Sequence, residues 1–291
     1  MPPLGPQLAP VRPAALLTRR RFLGAALLAG LGAAGYARWL EPRWLDCDKV
    51  HVPLGRGTPL RILHLSDLHI SDAASLALVD RAITLGLGLK PDLAALTGDF
   101  ITGPFTASPE YERTLHRLAA SVPTFACLGN HDGGRWSAAR GANASFLPVS
   151  DLLARAGVRL LRNASHTLDL GGNPIQLVGV GDPWAGDCEP SRAFASLPPR
   201  GNALRIVLSH NPDTKSLFRP LDWDLLLCGH THGGQFRLPF LGAPLAPVAD
   251  KRFAAGLHHW EGRWIHTTRG IGSFHDLRLF CRPQVDLLVV E

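Results

Sequence analysis

Cysteine is scarce in this 291-residue chain: Cys47, Cys127, Cys188, Cys228 and Cys281 are widely scattered, odd in number and never spaced Cys-x-x-Cys. A zinc ribbon and a full disulfide framework are thereby excluded. Cys127 and Cys228 sit in apolar runs directly before glycine-containing loops and read as buried structural thiols. No internal repeat occurs either, which argues against solenoids and propellers. The body of the chain also lacks a charge excess. The formal net charge is +6, but six of the 30 basic residues (Arg12, Arg19, Arg20, Arg21, Arg38 and Arg43) and one of the 24 acidic ones, Glu41, lie in residues 1–45. The remaining 24 basic and 23 acidic residues nearly balance. No broad electrostatic footprint for nucleic acid is left, and no nucleic-acid partner is expected.

What residues 1–45 do contain is a route out of the cytoplasm. From Thr18 the chain reads Thr-Arg-Arg-Arg-Phe-Leu, then runs uncharged from Gly24 to Ala37. A charged stretch before an apolar one, with paired arginines, resembles the twin-arginine export signal, and Gly35-Tyr36-Ala37 would serve as a small-residue cleavage site. The run from Phe22 to Ala37 has no polar face, which argues against a surface amphipathic helix. As a helix it measures about 24 Å at roughly 1.5 Å per residue, slightly short of a hydrocarbon core of about 30 Å. Residues 1–45 are therefore expected to be a twin-arginine-like signal or membrane anchor with a linker. The expected partner is the twin-arginine export machinery, with membrane association through residues 22–37. The domain that follows, residues 46–291, is expected to be exported across the inner membrane, periplasmic or anchored on the outer face, with the arginines left on the cytoplasmic side.

After a Pro- and Gly-rich junction at 53–59, short β-rich runs alternate with helical stretches. The runs are 60–65, 93–96, 124–128, 175–180, 205–208 and 225–228, and the helices 75–89, 109–120, 150–156 and 191–197. Such alternation implies an α/β fold with a largely parallel, helix-covered sheet. Residues 254–260, 263–268 and 285–290 look like strands joined by turns and are expected to build a second, more antiparallel sheet, packed face to face with the first.

Five motifs fall just past apolar runs, where open α/β sheets gather ligand-binding loops. They are Asp67-Leu68-His69, Gly98-Asp99, Gly129-Asn130-His131-Asp132, Ser209-His210, and Gly229-His230-Thr231-His232-Gly233-Gly234-Gln235. Alone, Asp-x-His could be a helix cap beside a loop histidine, and Gly-Asp is a common turn pair. Two imidazoles two residues apart between glycines suit close backbone approach to a site rather than core packing. Together these oxygen and imidazole donors read as a site for two divalent ions, Mn, Fe or Zn. A phosphoester resists attack because its oxygens are negative and water is a poor nucleophile. Two cations can hold a hydroxide and neutralise those oxygens in an in-line displacement.

In this order the motifs resemble the calcineurin-like metallophosphoesterase superfamily. The resemblance implies a four-layer α-β-β-α sandwich, two packed mixed sheets with helices outside. It also implies that Asp67, His69 and His232 bind one ion, that Asn130, His210 and His230 bind the other, and that Asp99 bridges them. His131 would donate a proton to the leaving oxygen, positioned by Asp132. Gly181-Asp182-Pro183-Trp184, Arg269-Gly270-Ile271-Gly272 and Arg278-Leu-Phe-Cys-Arg-Pro extend the likeness, over about residues 48–291, to the exported YkuE/YaeI-type bacterial branch. One departure is Pro283-Gln284, where that branch commonly ends in Pro-Glu. The implied activity is metal-dependent hydrolysis of an envelope or lipid-linked phosphodiester or pyrophosphate. An alternative is UDP-2,3-diacylglucosamine pyrophosphate hydrolysis in lipid A synthesis, whose substrate is ordinarily met in the cytoplasm. A reading of another class is a non-catalytic metal-dependent binding module, against which the full ligand set and His131 argue. Arg135, Trp136, Trp184 and Arg269 are candidates to frame the substrate. His64 reads as a core or supporting group, and His258, His259, His266 and His275 as surface or supporting ones.

Overall fold

The computed structural model describes residues 19–55, 59–104 and 108–291. Arg12 and the rest of the expected signal segment before Arg19, and the middle of the 53–59 junction, lie outside the described residues. The first described element is α1 (Arg19–Gly35), none of whose residues is buried. Among the described residues no helix is long and apolar enough to cross a membrane. Residues 36–43 continue it through two short turns, and there Ala37, Glu41 and Pro42 are already buried.

The remaining elements, in chain order, are β1 (Asp46–Val52), β2 (Leu60–Leu65), α2 (Ala73–Gly88), β3 (Leu93–Thr97), α3 (Pro109–Ser121), β4 (Thr124–Cys127), α4 (Gly134–Ala138) and α5 (Leu147–Arg155). Then follow β5 (Arg159–Leu160), β6 (Ala164–Leu170), β7 (Asn173–Gly179), α6 (Pro190–Ala195), β8 (Leu204–Leu208), β9 (Leu225–Cys228), β10 (Gly256–Trp260), β11 (Arg263–Thr267) and β12 (Gln284–Val290). Helix starts follow local chemistry. Asp72 caps α2 reciprocally with Ser75, and Ser108 caps α3 ahead of Pro109, each satisfying amides that have no partner inside the helix.

Two six-stranded mixed sheets result, ordered β1-β12-β2-β3-β4-β5 and β10-β11-β9-β8-β7-β6. Their facing sides bury Ile62, Phe125, Leu177, Ile206 and Leu227 in one core. Outside the first sheet, α2, α3 and α5 bury Val79, Ile83, Leu115, Leu118 and Leu152 against Leu63, Leu65, Ala94 and Leu96. The outer layer of the second sheet is thinner: α6 and short 3-10 turns cover Val207, Phe218, Trp223 and Phe253.

The division of strands between sheets differs from the sequence expectation. β12 does not join β10 and β11; it lies inside the first sheet, parallel to β1 and antiparallel to β2. Every residue of β12 is buried, and a strand apolar on both faces needs neighbours on both edges. The second sheet is mainly parallel through β11, β9, β8 and β7, with antiparallel pairs only at its two edges.

Candidate metal centre

The expected ligands leave the ends of five strands. Asp67 and His69 follow β2, Asp99 follows β3, Asn130 follows β4, His210 follows β8, and His230 and His232 follow β9. The loop after β2 lies along the loop after β3 through Asp67 N–H to Gly98 carbonyl (2.9 Å) and His69 N–H to Asp99 carbonyl (3.0 Å). Across the gap between sheets, the His230 N–H donates to the Asp67 carboxylate at 3.1 Å. Five of the seven residues, Asp67, His69, Asp99, His230 and His232, adopt positive φ between 47° and 70°. Backbone strain of this kind concentrates at functional sites, where surrounding structure holds it in place. Gly129 and Gly229 permit the convergence: a Cβ on the first would strike the Asp99 carboxylate, and on the second Ser66 and Asp67.

The donor atoms meet in two overlapping groups. In one, His232 Nε2 is 3.5 Å from Asp67 Oδ1 and 3.2 Å from His69 Nε2. In the other, His210 Nε2 is 3.1 Å from Asp99 Oδ2 and 3.2 Å from His230 Nδ1. Asp99 Oδ2 is also 3.5 Å from His69 Nε2, so one carboxylate faces both groups. Asn130 is buried, with its carbonyl oxygen free of any hydrogen bond, as is His230 Nε2.

Burial dominates the electrostatics. It lowers His69 and His230 to about 3 and His232 well below its usual value, leaving neutral imidazoles with lone pairs to offer. It raises Asp67 to about 6, against the pull of His210. At Asp99 the burial penalty is overcome by His210 and His131, which hold its carboxyl well below the usual range. At His210 burial likewise opposes charge, yet Asp99 holds the imidazole well above its ordinary value. His210 Nδ1 is 2.7 Å from the Thr97 carbonyl and must donate there. Its Nε2 therefore reaches Asp99 through a proton or a cation. Crowded neutral nitrogens, two carboxylates and an orphaned amide oxygen fit divalent ions well.

His131 stands at the mouth of this cluster. Its imidazole packs edge-on to His69, with centroids 4.8 Å apart, and lies 4.4 Å from the Trp136 ring. His131, His69 and Asp99 form a group whose donor atoms lie within 4.8 Å of one another. Asp132 has a different job from the one expected. Its carboxylate accepts the N–H groups of Asp99 (2.9 Å), Phe100 (2.7 Å) and Gly129 (2.8 Å). It thus orders the loops carrying Asp99 and Asn130 and does not reach the His131 ring. The buried polar strand end offers three amides that only an acceptor can satisfy.

Above the cluster a cleft of about 640 Å³ is walled by Trp136, Trp184, Phe236 and Leu245, with Arg140 on its rim. Arg140 stacks over Trp136 at 3.8 Å. Trp184 meets His230 edge-on at 4.4 Å. The other two substrate candidates face elsewhere. Arg135 donates to the carbonyls of Trp184 (3.2 Å) and Pro183 (3.1 Å). Arg269 pairs with Asp46 at 2.8 Å and with Gln284 Oε1 at 2.8 Å. Gln284 in turn donates to Asp48 at 2.6 Å, a bond that a glutamate there could not make. His64 and His266 are buried against each other at 3.0 Å between the sheets, so His266 is an interior group.

Three supporting residues were not expected to serve the site. Thr102 holds His69 Nδ1 at 2.7 Å. Asp182 caps the amides of Trp184 (2.7 Å) and Ala185 (3.1 Å), fixing the tryptophan over the site. Arg278, fully buried, donates to the carbonyls of Arg269 (2.8 Å), Gly270 (3.1 Å) and Cys281 (3.1 Å). Only Asp182 and Arg278 lay inside recognisable sequence stretches.

A cluster of histidine, aspartate and asparagine ligands at the strand ends of two packed mixed sheets defines a metal-dependent phosphoesterase. The family profile described as calcineurin-like phosphoesterase matches residues 60–234, and the chain belongs to that family. It is 42% identical over 278 residues to phosphodiesterase YaeI of Escherichia coli, covering 94% of this chain and 99% of that one. It is 30% identical to the metallophosphoesterase YkuE of Bacillus subtilis, over 94% and 98% of the two chains. It is 27% identical to the UDP-2,3-diacylglucosamine pyrophosphatase LpxG of Chlamydia trachomatis, over 87% and 91%. The chain is thus a hydrolase of phosphoric esters that uses divalent metal.

Proposed function

We propose that this enzyme hydrolyses phosphodiester bonds in envelope or lipid-linked substrates, outside the inner membrane, with a dinuclear centre. The observation that carries the reading is the convergence of seven ligand-type side chains and His131 at the base of a cleft walled by aromatic and aliphatic groups. Asp67, His69 and His232 would hold one ion, Asn130, His210 and His230 the other, with Asp99 shared. When bound, the two cations supply an activated water and neutralise the phosphoryl oxygens. His131 holds the proton that passes to the leaving oxygen. Trp136 and Trp184 exclude bulk water and cover the apolar part of the ester, while Arg140 offers a positive charge at the rim. The name of YaeI supports diester cleavage.

A second reading, pyrophosphate hydrolysis of UDP-2,3-diacylglucosamine, is favoured by the likeness to LpxG. The leader chemistry points the domain away from the cytoplasm, where that substrate is made, and so ranks it second. One assay separates them. The metal-loaded full chain is offered bis- and mono-nitrophenyl phosphate, a glycerophospholipid and a UDP-linked diacyl sugar. Diester cleavage that chelator abolishes and Mn or Zn restores is the expected result. Exclusive cleavage of the UDP-linked lipid would select the second reading. Metal binding without turnover of any ester would leave a binding module.

A further inference from the structure

The end of the leader lies beside the loop that walls the cleft. Residues 36–43 are clamped to the domain: the Arg278 N–H donates to the Ala37 carbonyl at 3.0 Å. The buried Glu41 carboxylate accepts the amides of Phe280 (2.9 Å) and Cys281. Residues 278–280 pair in turn with 235–237, through Leu279 N–H to the Gln235 carbonyl and Arg237 N–H to the Leu279 carbonyl, both 2.9 Å. The leader's end, the 278–282 segment and the loop at 236–248 are therefore side by side. What they turn outward is apolar: Trp39, Trp44, Phe280, Phe240, Leu241 and Leu245 are all more than half exposed.

Phe240 is the clearest member. It caps a turn closed by hydrogen bonds between Leu238 and Gly242 (2.8 and 3.0 Å), at φ 67°, with its whole side chain in solvent. A strained bulky residue presented outward serves no packing need of the domain. Residues 236–248 carry a single charge, Arg237. Arg43 and Arg282 are the neighbouring cations, with Arg282 stacked on Trp44 at 3.6 Å. The neighbouring acids are spoken for: Glu41 is buried on two amides, and Asp276 pairs with Arg38 at 3.4 Å.

We propose that the Leu238–Gly242 turn, with Trp39, Trp44 and Phe280, is an interfacial docking face by which the catalytic domain lies on an anionic lipid bilayer. The occupant follows from the covalent continuity of this face with α1, whose exposed Phe22, Leu23, Leu27 and Leu28 offer no polar side to water. Tryptophan and arginine at the rim of an apolar patch suit the headgroup layer. Phe236 and Leu245 are shared with the wall of the cleft. Docking therefore opens the cleft at the membrane surface, where an amphiphile can keep its chains in lipid while its phosphodiester reaches the ions. This last step rests on the proposed hydrolysis; docking does not.

The test uses the full chain, its Phe240→Asp/Leu241→Asp variant, and vesicles of phosphatidylglycerol and phosphatidylethanolamine. Vesicles are expected to slow backbone hydrogen exchange at 238–242 by about threefold or more, and the variant to lose that protection. The variant should cleave bis-nitrophenyl phosphate normally but a vesicle-embedded glycerophosphodiester about tenfold more slowly. Protection confined to residues 19–35 would overturn the proposal, as would protection at 238–242 that rises with protein concentration without lipid and so marks a second copy. If no ester is cleaved at all, hydrolysis fails while the exchange data still decide docking.

Discussion

The Nε2 atoms of His69 and His232 face each other at 3.2 Å, with their rings stacked at 28° and centroids 4.9 Å apart. Burial keeps both imidazoles neutral, so between them a shared cation is the stabilising occupant. Asp67 and Asp99 supply the opposite charge at 3.5 Å from His232 and His69 respectively.

Asp99 is the residue whose loss should damage both halves of this centre, because one of its oxygens faces His210 and His69 together. Asp99→Asn keeps the shape and removes the charge. Metal content by mass spectrometry should fall by half or more, and hydrolysis by about 10³-fold, as expected from losing several kcal/mol of charge stabilisation. Full activity with normal metal content would remove Asp99 as the bridge.

His131 lies against Trp136 and His69 without being required in either ligand group. His131→Ala should therefore retain metal yet slow cleavage of an alkyl ester by roughly 10² to 10⁴. A nitrophenyl ester, whose leaving group needs no proton, should lose much less. Equal losses on both would eliminate the proton-donor role.

The site was legible in the sequence because each ligand follows a run of apolar residues that could only be a buried strand, and glycines mark where loops must pass closely. What stayed hidden depends on contacts across the chain. β1 and β6 are made of half-buried and exposed positions, with Val52 the one buried residue, and carry Asp46, Asp48, Thr167 and Asp169, so no apolar run announces them. Placing β12 in the first sheet required knowing that β1 would cover its second edge. Asp132 looked like a partner for its neighbour His131, whereas the amides it satisfies belong to Asp99, Phe100 and Gly129. Arg269 looked available for phosphate until Asp46 and Gln284 claimed it.

Asp286 should give the protein a pH-dependent weakness unrelated to catalysis. It lies opposite His64 in the β12–β2 register and 3.8 Å from His266 Nε2. Burial leaves neither histidine charged, so no cation compensates it there. Burial pushes its carboxyl up to about 8, aided by Asp48 and Asp46 and opposed by the Thr268 hydroxyl and Arg269. Between about pH 4 and pH 8 the native state binds a proton that the unfolded chain has released, so stability falls as pH rises across that window. Asp286→Asn should flatten the slope and gain roughly 2–4 kcal/mol over the wild type at pH 8.5 relative to pH 5. Urea unfolding of both metal-loaded proteins at the two pH values measures it; an equal difference at both would refute the assignment.

Arg278 should matter for metal affinity although it touches no ligand side chain. Its guanidinium satisfies carbonyls on the 269–272 loop and at Cys281, and reaches the His232 carbonyl at 3.5 Å. That loop backs Asp67 closely: a Cβ on Gly270 would strike its side chain. Lysine is shorter, lacks the planar fork and cannot serve carbonyls in several directions, so Arg278→Lys leaves buried acceptors bare. The expected cost is about 2–4 kcal/mol of stability in the metal-free protein. Calorimetric titration should show the ion proposed at Asp67, His69 and His232 weakened about 10- to 100-fold. The ion proposed at Asn130, His210 and His230, whose loops are supported instead by Asp132 and Thr97, should be weakened less. Equal weakening of both would mean that Arg278 acts through general loosening of the fold and not by ordering the loop behind Asp67.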